Sequence, residues 1–368
     1  MLVSHGEIER ARERARFWIA RLERMRDPQL ADLIAFVRTV QADPQAAMAG
    51  AEQHRIPGLE TLSTLLAAAP APVAHYDVAD QGEAGRVLEP RKNIAGMEAL
   101  WRRVFPQSKP ALTMTQHRDT SMWEAPERWL DFLGKDALAW QSFDVLDDLA
   151  MAVDALHALG TDATVLEPLL ARGIALLAVN LAETVPGNGT LQWGWQENRP
   201  ALRVLAHRAF RAQEAMDRGA AAEPFIKLAE QLIALNPNDN HGLREALTRA
   251  YLAASQPDKA LALADRYPDD ISGLTLNRVL ALVRLNRRGD ALVALRDAAQ
   301  YQRVAIETLL ADAPKPPKSS SAYGITVGGK EEAWEYRKTH HALWKQDGAL
   351  DWLAIAWREI RTGLRKRV

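Results

Sequence analysis

His117 stands beside Arg118 and Asp119, an imidazole, a cation and a carboxylate of the kinds used in acid–base work. No partner nucleophile or Gly-rich loop accompanies them, and catalysis needs mutually placed groups rather than one histidine. His340 and His341 are adjacent on an expected helix, where neighbours in sequence do not share a face. They do not close on one metal, and no carboxylate follows four residues on, so one packed and one exposed histidine is expected. The chain has no cysteine, which excludes disulfides, thiol nucleophiles, iron–sulfur clusters and cysteine-built zinc sites. No phosphate loop, dinucleotide fingerprint or nucleophile elbow occurs. The expectation is a non-enzyme with no catalytic residue, metal or cofactor.

The elements that would carry any function are helices. The 368 residues are 48% hydrophobic and 25% charged, enough for two domains or one extended repeat array. Lys plus Arg number 46 against 47 for Asp plus Glu, so net charge gives no global reason to expect DNA, RNA or an anionic membrane as partner. The N-terminus MLVSHGEIERARERARFWIARLERMR lacks the apolar core and cleavage site of a secretory signal. The most apolar long stretch, Leu169 to Leu181, is interrupted by Arg172 and reads as too short to span a bilayer. A cytoplasmic location is the resulting expectation.

Ile8, Ala11, Ala15, Trp18, Leu22 and Met25 recur in steps of three and four and predict one buried stripe on a first helix. Arg10, Arg14, Arg21 and Arg24 lie off it, mixed with Glu9, Glu13 and Glu23. Asp27 and Pro28 then suit the cap and first position of a second helix running to about Gln41. Residues 1–66 are read as N-terminal helices. Residues 67–96, rich in Ala, Pro and Gly without a period, are read as a linker or irregular loop. Residues 97–186 form a middle helical region. There Phe143, Leu146, Leu149, Val153 and Leu156 mark one helix ended by Gly160, and Pro168 to Leu181 another closed by Pro186-Gly187-Asn188-Gly189. Only Tyr323 to Val327 looks like a strand. The predicted fold class is all-α.

Residues 191–312 repeat at a period near the ~34 residues of tetratricopeptide units. Expected helix pairs are Ala201–Arg218 with Pro224–Leu235, His241–Ala254 with Pro257–Arg266, and Gly273–Leu285 with Gly289–Ala299. Turns at Asn236-Pro237-Asn238-Asp239, Tyr267-Pro268-Asp269-Asp270 and Asn286-Arg287-Arg288-Gly289 join them. Ala229, Ala260, Ala264 and Ala291 fall where helices approach closely. A loop at 313–330 and capping helices at 331–368 would complete an antiparallel helix-pair solenoid. Asn198 is expected to cap the helix that Pro200 opens, and Asp239 or Asn240 the one after Gly242, with Arg244 reaching back to the turn. Trp334, Trp344, Trp352 and Trp357, with the stripe Ala349, Leu353, Ala356, Ile360 and Leu364, suit packing of the last helices.

Trp193-Gly194-Trp195-Gln196-Glu197-Asn198-Arg199-Pro200, Asn236 through Arg244, Glu331-Glu332-Ala333-Trp334 and Gly348 through Leu353 occur in this order. Together they resemble the tetratricopeptide proteins of the suppressor of tumorigenicity 7 type and their uncharacterised bacterial relatives. The resemblance covers roughly residues 191–353, under half of the chain. It implies a repeat fold without a settled biochemical activity, and this chain lacks the cysteine-rich zinc motif of some relatives. It also implies that Glu245, Arg249, Asn277 and Arg284 line the groove of the array, where Arg and Asn could clamp a carboxylate of a bound segment.

The expected function is a non-catalytic scaffold or adaptor that binds another protein or peptide segment in that groove. The alternative is a nucleic-acid-binding or regulatory protein using Arg10, Arg14, Arg21 and the end Arg365-Lys366-Arg367, although Glu residues interleave the first helix. A homo-oligomer formed through the first helix is a third expectation.

Overall fold

The structure, a computed structural model, describes residues 5–25, 31–44, 57–106, 121–156, 163–182, 190–268, 271–317 and 326–365. The expected cap Asp27-Pro28, the His117-Arg118-Asp119 group, Gly160, the turn at 186–189, most of the strand expected at 323–327 and the end Lys366-Arg367 lie outside these residues. The chain divides into two compact units. One comprises Met1–Ala71, Met97–Trp140 and Asp148–Leu169, the other Pro72–Gly96, Gln141–Asp147 and Leu170–Val368.

In the first unit, α1 (His5–Met25) pairs with α2 (Ala31–Ala42). Ala15 and Leu22 of the expected stripe are buried, but Trp18 stands 48% exposed, because a stripe drawn in steps of three and four is wider than the contact one helix makes. Glu23 of α1 pairs with Arg38 of α2 at 2.7 Å. Farther along, α3 (Pro57–Ala67), the part of α4 (Lys92–Val104) from Met97 onward and α5 (Glu127–Lys135) enclose an aromatic core. Trp101 stacks on Phe105 at 4.6 Å, and the Trp129 ring meets Phe105 and Trp123 edge-on. Indole N–H groups taken from water need acceptors. Trp101 donates to Asp148, Trp123 to the Ala152 carbonyl and Trp129 to the Met122 carbonyl.

Residues 67–96 are not the expected linker. They hold the antiparallel hairpin of β1 (Tyr76–Asp80) and β2 (Arg86–Pro90), in register Tyr76 to Pro90 and Asp80 to Arg86, and the start of α4. Gly82 and Gly85 take left-handed backbone in the connection, and a Cβ on Gly85 would press on the Thr190 carbonyl. Two strands alone are marginal in water. Here side-chain amides of the same unit satisfy their free backbone groups. Gln141 Oε1 accepts from Val73 N, and Asn180 Oδ1 accepts from His75 N and Tyr76 N. Asn198 Oδ1 accepts from Leu88 N while its Nδ2 donates to the carbonyls of Arg86 and Gln192. Asn198 thus does not cap the helix that follows, as its position suggested; the buried hairpin edge uses both of its amide atoms.

Residues of both units lie on α6 (Phe143–Asp154) and α7 (Ala163–Ala182). Within α7, which starts five residues ahead of the expected Pro168, Thr164–Ala182 is long and apolar enough to cross a membrane by length and composition, contrary to the sequence expectation. Leu166, Leu169, Leu170, Leu176 and Leu177 are almost wholly buried within the protein, as in a core helix.

The rest of the second unit is built from neighbouring helices packed in pairs. The expected pairs are α8 (Arg199–Asp217) with α9 (Glu223–Leu235), α10 (Arg244–Ala253) with α11 (Pro257–Arg266), and α12 (Ser272–Arg284) with α13 (Arg288–Tyr301). Ala229, Ala260, Ala264 and Ala291 are buried at the close approaches. Each second helix also packs on the next first helix, as α9 does on α10 and α11 on α12, and α10 packs on α12. The chain continues through α14 (Arg303–Leu310), α15 (Lys330–Trp344) and α16 (Ala349–Arg365).

At the crossing of α7 and α8 a Cβ on Gly173 would overlap Val204, whereas one on helical Gly96 would meet nothing. Gly173→Ala is expected to cost about 1–3 kcal/mol through overpacking, and Gly96→Ala to gain up to about 1 kcal/mol from helix propensity. Urea unfolding of both variants measures the contrast.

Candidate functional site

Glu245 and Arg249 lie on α10 and Asn277 and Arg284 on α12, and these two helices adjoin. The face between them is occupied by α15, which packs against both. Its contact row is Glu332, Tyr336, His340 and Trp344, a spacing of four that keeps one helical face, and all four are buried.

Asn277 sits at the centre with no exposed surface. Its Nδ2 donates to Thr248 Oγ1 at 2.9 Å and lies 3.1 Å from His340 Nε2, and its Oδ1 accepts from the Tyr336 hydroxyl at 3.1 Å. The Tyr336 oxygen in turn accepts from Trp344 Nε1 at 2.8 Å. An imidazole that accepts at Nε2 carries its proton on Nδ1, which lies 3.1 Å from the Tyr336 carbonyl, so this network assigns His340 a neutral Nδ1–H form. The Tyr336 and His340 rings stack at 4.1 Å. Burial first, and the charge of Arg249 second, push the His340 pKa down to about 3.

At one end of α15 the Glu332 carboxylate accepts from Ser272 N, the first residue of α12, at 2.6 Å and from Gly328 N. A carboxylate at a helix start satisfies an orphan N–H and complements the helix dipole. At the other end Arg284 donates to the carbonyls of Leu252 and Leu343 and to Gln346 Oε1, at 2.6–2.8 Å. These are last-turn carbonyls of α10 and α15, where the regular helical ladder ends and lone pairs remain to accept a side-chain donor. Arg249 pairs with Asp217 of α8 at 2.5 Å, and Glu245 fills the space beside Gly273, where a Cβ would overlap it.

The four residues expected to line an open groove are therefore brought to one region, but Asn277 and Arg284 do not face solvent. A side chain with no exposed surface and another 6% exposed hold α15 instead. The i, i+4 row on α15 was not singled out in the sequence, although its spacing is visible there. His340 is packed and His341 is partly exposed, as expected for adjacent helical residues.

The motifs Trp193–Pro200 and Asn236–Arg244 also meet. Asp239 is the cap, its two carboxylate oxygens accepting from Leu243 N and Arg244 N at 2.9 Å, and Arg244 Nη1 returns to it at 3.2 Å. The Trp193 ring stands edge-on to His241 at 4.7 Å, and the Arg199 guanidinium lies over Trp193. Beside them Arg203 donates to Asp147 at 2.7 Å. Burial raises the Asp147 pKa against the pull of Arg203. Burial, then the charge of Arg203, lowers that of His241 to about 4. Among the described residues neither ring nitrogen of His241 has a hydrogen-bond partner, and so no acceptor there orients it as a general base would require. Among the described residues no group of three His, Asp or Glu is placed to hold a metal ion.

Both histidines predict a pH dependence. A folded pKa below the unfolded value of about 6.5 means that the unfolded chain binds more protons, so stability is full above that value and falls as pH drops toward the folded pKa. Between pH 7 and pH 5 each should cost on the order of 2 kcal/mol. In urea unfolding, His340→Gln should flatten this slope by about half of that combined loss. Arg284→Glu should lose about 3–5 kcal/mol, because it removes the charged donor shared by the carbonyls of Leu252 and Leu343 and buries a carboxylate beside them. Its melting temperature, against that of Arg288→Glu at an exposed position, measures this.

No protein-family model matches the chain, and no curated protein or solved structure matches it either.

Proposed function

We propose that this chain is a non-catalytic, tetratricopeptide-like scaffold whose array face binds a helical protein segment. One observation carries the reading: the face shared by α10 and α12 already holds a helix, α15, through side-chain-specific bonds from Asn277 and Arg284 and the backbone N–H of Ser272. Recognition of this kind is helix-in-groove, with anchors repeating along one face of the ligand. This is more specific than the bound segment with a clamped carboxylate expected from Arg249, Asn277 and Arg284. The ligand is an amphipathic helix bearing Glu, Tyr, His and Trp four residues apart. The pairing of α8 with α9, α10 with α11 and α12 with α13 supports the tetratricopeptide-like description.

In the free protein α15 is tethered to its own site, and an intramolecular ligand enjoys an effective concentration on the order of millimolar. Weakening it in cis should let a partner helix in. A labelled peptide spanning residues 330–344 is expected to bind the full-length Tyr336→Ala variant and not the wild type. A peptide with alanine at its own tyrosine and histidine is expected to bind neither. If the variant keeps its helicity yet fails to take up the unaltered peptide at any concentration, α15 is only a structural helix and this reading fails. Direct binding is followed by fluorescence anisotropy.

A further inference from the structure

We propose that α1 docks the protein on the surface of an anionic lipid bilayer, through a basic and aromatic stripe on its exposed side. This stands apart from the array and its α15 site. Over Glu13–Arg24, Arg14, Phe17, Trp18, Arg21 and Arg24 project within about a third of the helical circumference at 3.6 residues per turn. Glu13, Ala20 and Glu23 fall outside that arc, and Glu23 is held by Arg38. Over these residues both carboxylates fall outside the arc, and three of the four arginines fall within it.

Phe17 is 61% and Trp18 48% exposed, although burying either would be favourable. Their rings meet edge-on at 5.8 Å, and the Arg21 guanidinium lies 5.6 Å from the Trp18 ring. Arg14 and Arg21 have no ion-pair partner among the described residues. Two exposed aromatics flanked by arginines on one helical face suit the boundary between headgroups and acyl chains. There, rings enter the apolar layer and guanidinium groups reach phosphates and carboxylates.

The same geometry argues against other occupants. A second copy would bring arginine onto arginine in a two-fold pairing of this stripe. Single-stranded nucleic acid binds on open, parallel ring faces, whereas these rings are perpendicular and one is covered by Arg21. The expectation of no membrane partner came from net charge, which averages over the face where the cations gather. An acidic bilayer surface attracts each arginine locally and with a reach limited by salt.

Sedimentation with vesicles of phosphatidylcholine, with and without phosphatidylserine, tests this on the full chain. Wild-type protein is expected to pellet with the serine-containing vesicles only, and less so as salt rises. Phe17→Ser with Trp18→Ser, and separately Arg14→Gln with Arg21→Gln, should each lower partitioning by about tenfold or more at unchanged melting temperature. The arginine pair should also flatten the salt dependence. The proposal is overturned if wild type and variants partition alike. It is equally overturned if the stripe variants lose binding to a single-stranded oligonucleotide, or lose self-association, while wild type ignores phosphatidylserine.

Discussion

A buried amide has no neutral way to be left alone: each polar atom removed from water needs a partner or costs ~1–3 kcal/mol. Asn277 meets that requirement only when three helices stand in one register, because Thr248 comes from α10 and Tyr336 and His340 from α15. The surrounding bonds follow from it. With α15 so placed, Glu332 reaches the start of α12, Trp344 reaches the Tyr336 oxygen, and the last carbonyls of α10 and α15 converge on Arg284. Apolar packing alone would let these helices slide by a fraction of a turn. The amide network does not, since every such slip strands a donor or an acceptor.

The same device recurs at the hairpin. Asn180 and Asn198 present amides to backbone groups of the two-stranded sheet, and Gln141 to the segment that leads into it. In both places an asparagine, a residue with little helix or strand preference, marks where separate elements meet. The histidines follow the complementary logic. His340 is accommodated because it is neutral, and the network uses it as an acceptor, so its low proton affinity is a consequence of the docking.

Helix pairs and their turns were legible in the chain because their causes are local. Small residues mark close approaches, Asp239 caps from inside its own turn, and apolar residues recur at helical spacing. Other features depended on distant residues. Asn198 looked like a cap because it precedes Arg199-Pro200, and nothing nearby reveals that Leu88 and Arg86 compete for its amide. The hairpin at residues 76–90 was hidden because its two short strands alternate weakly around a Gly-bearing turn, and their stability comes from partners about 70 to 110 residues away. Arg284 and Asn277 were read as free because a polar side chain on a helix is solvated by default, until another element covers it.

By itself, then, the sequence determined the helical character, the succession of paired helices in the second half and the turns between them. It also excluded chemistry that needs cysteine, since that depends on residues being present at all. The tertiary structure alone decided which polar residues are spent inside. It set α15 across α10 and α12, so that Asn277 and Arg284 bond within the fold. It also left Phe17 and Trp18 of α1 exposed. The physical reason is the same in each case. Helical periodicity is written within four residues of every position, whereas burial of a polar group is settled by whichever distant donor or acceptor the packing brings to it.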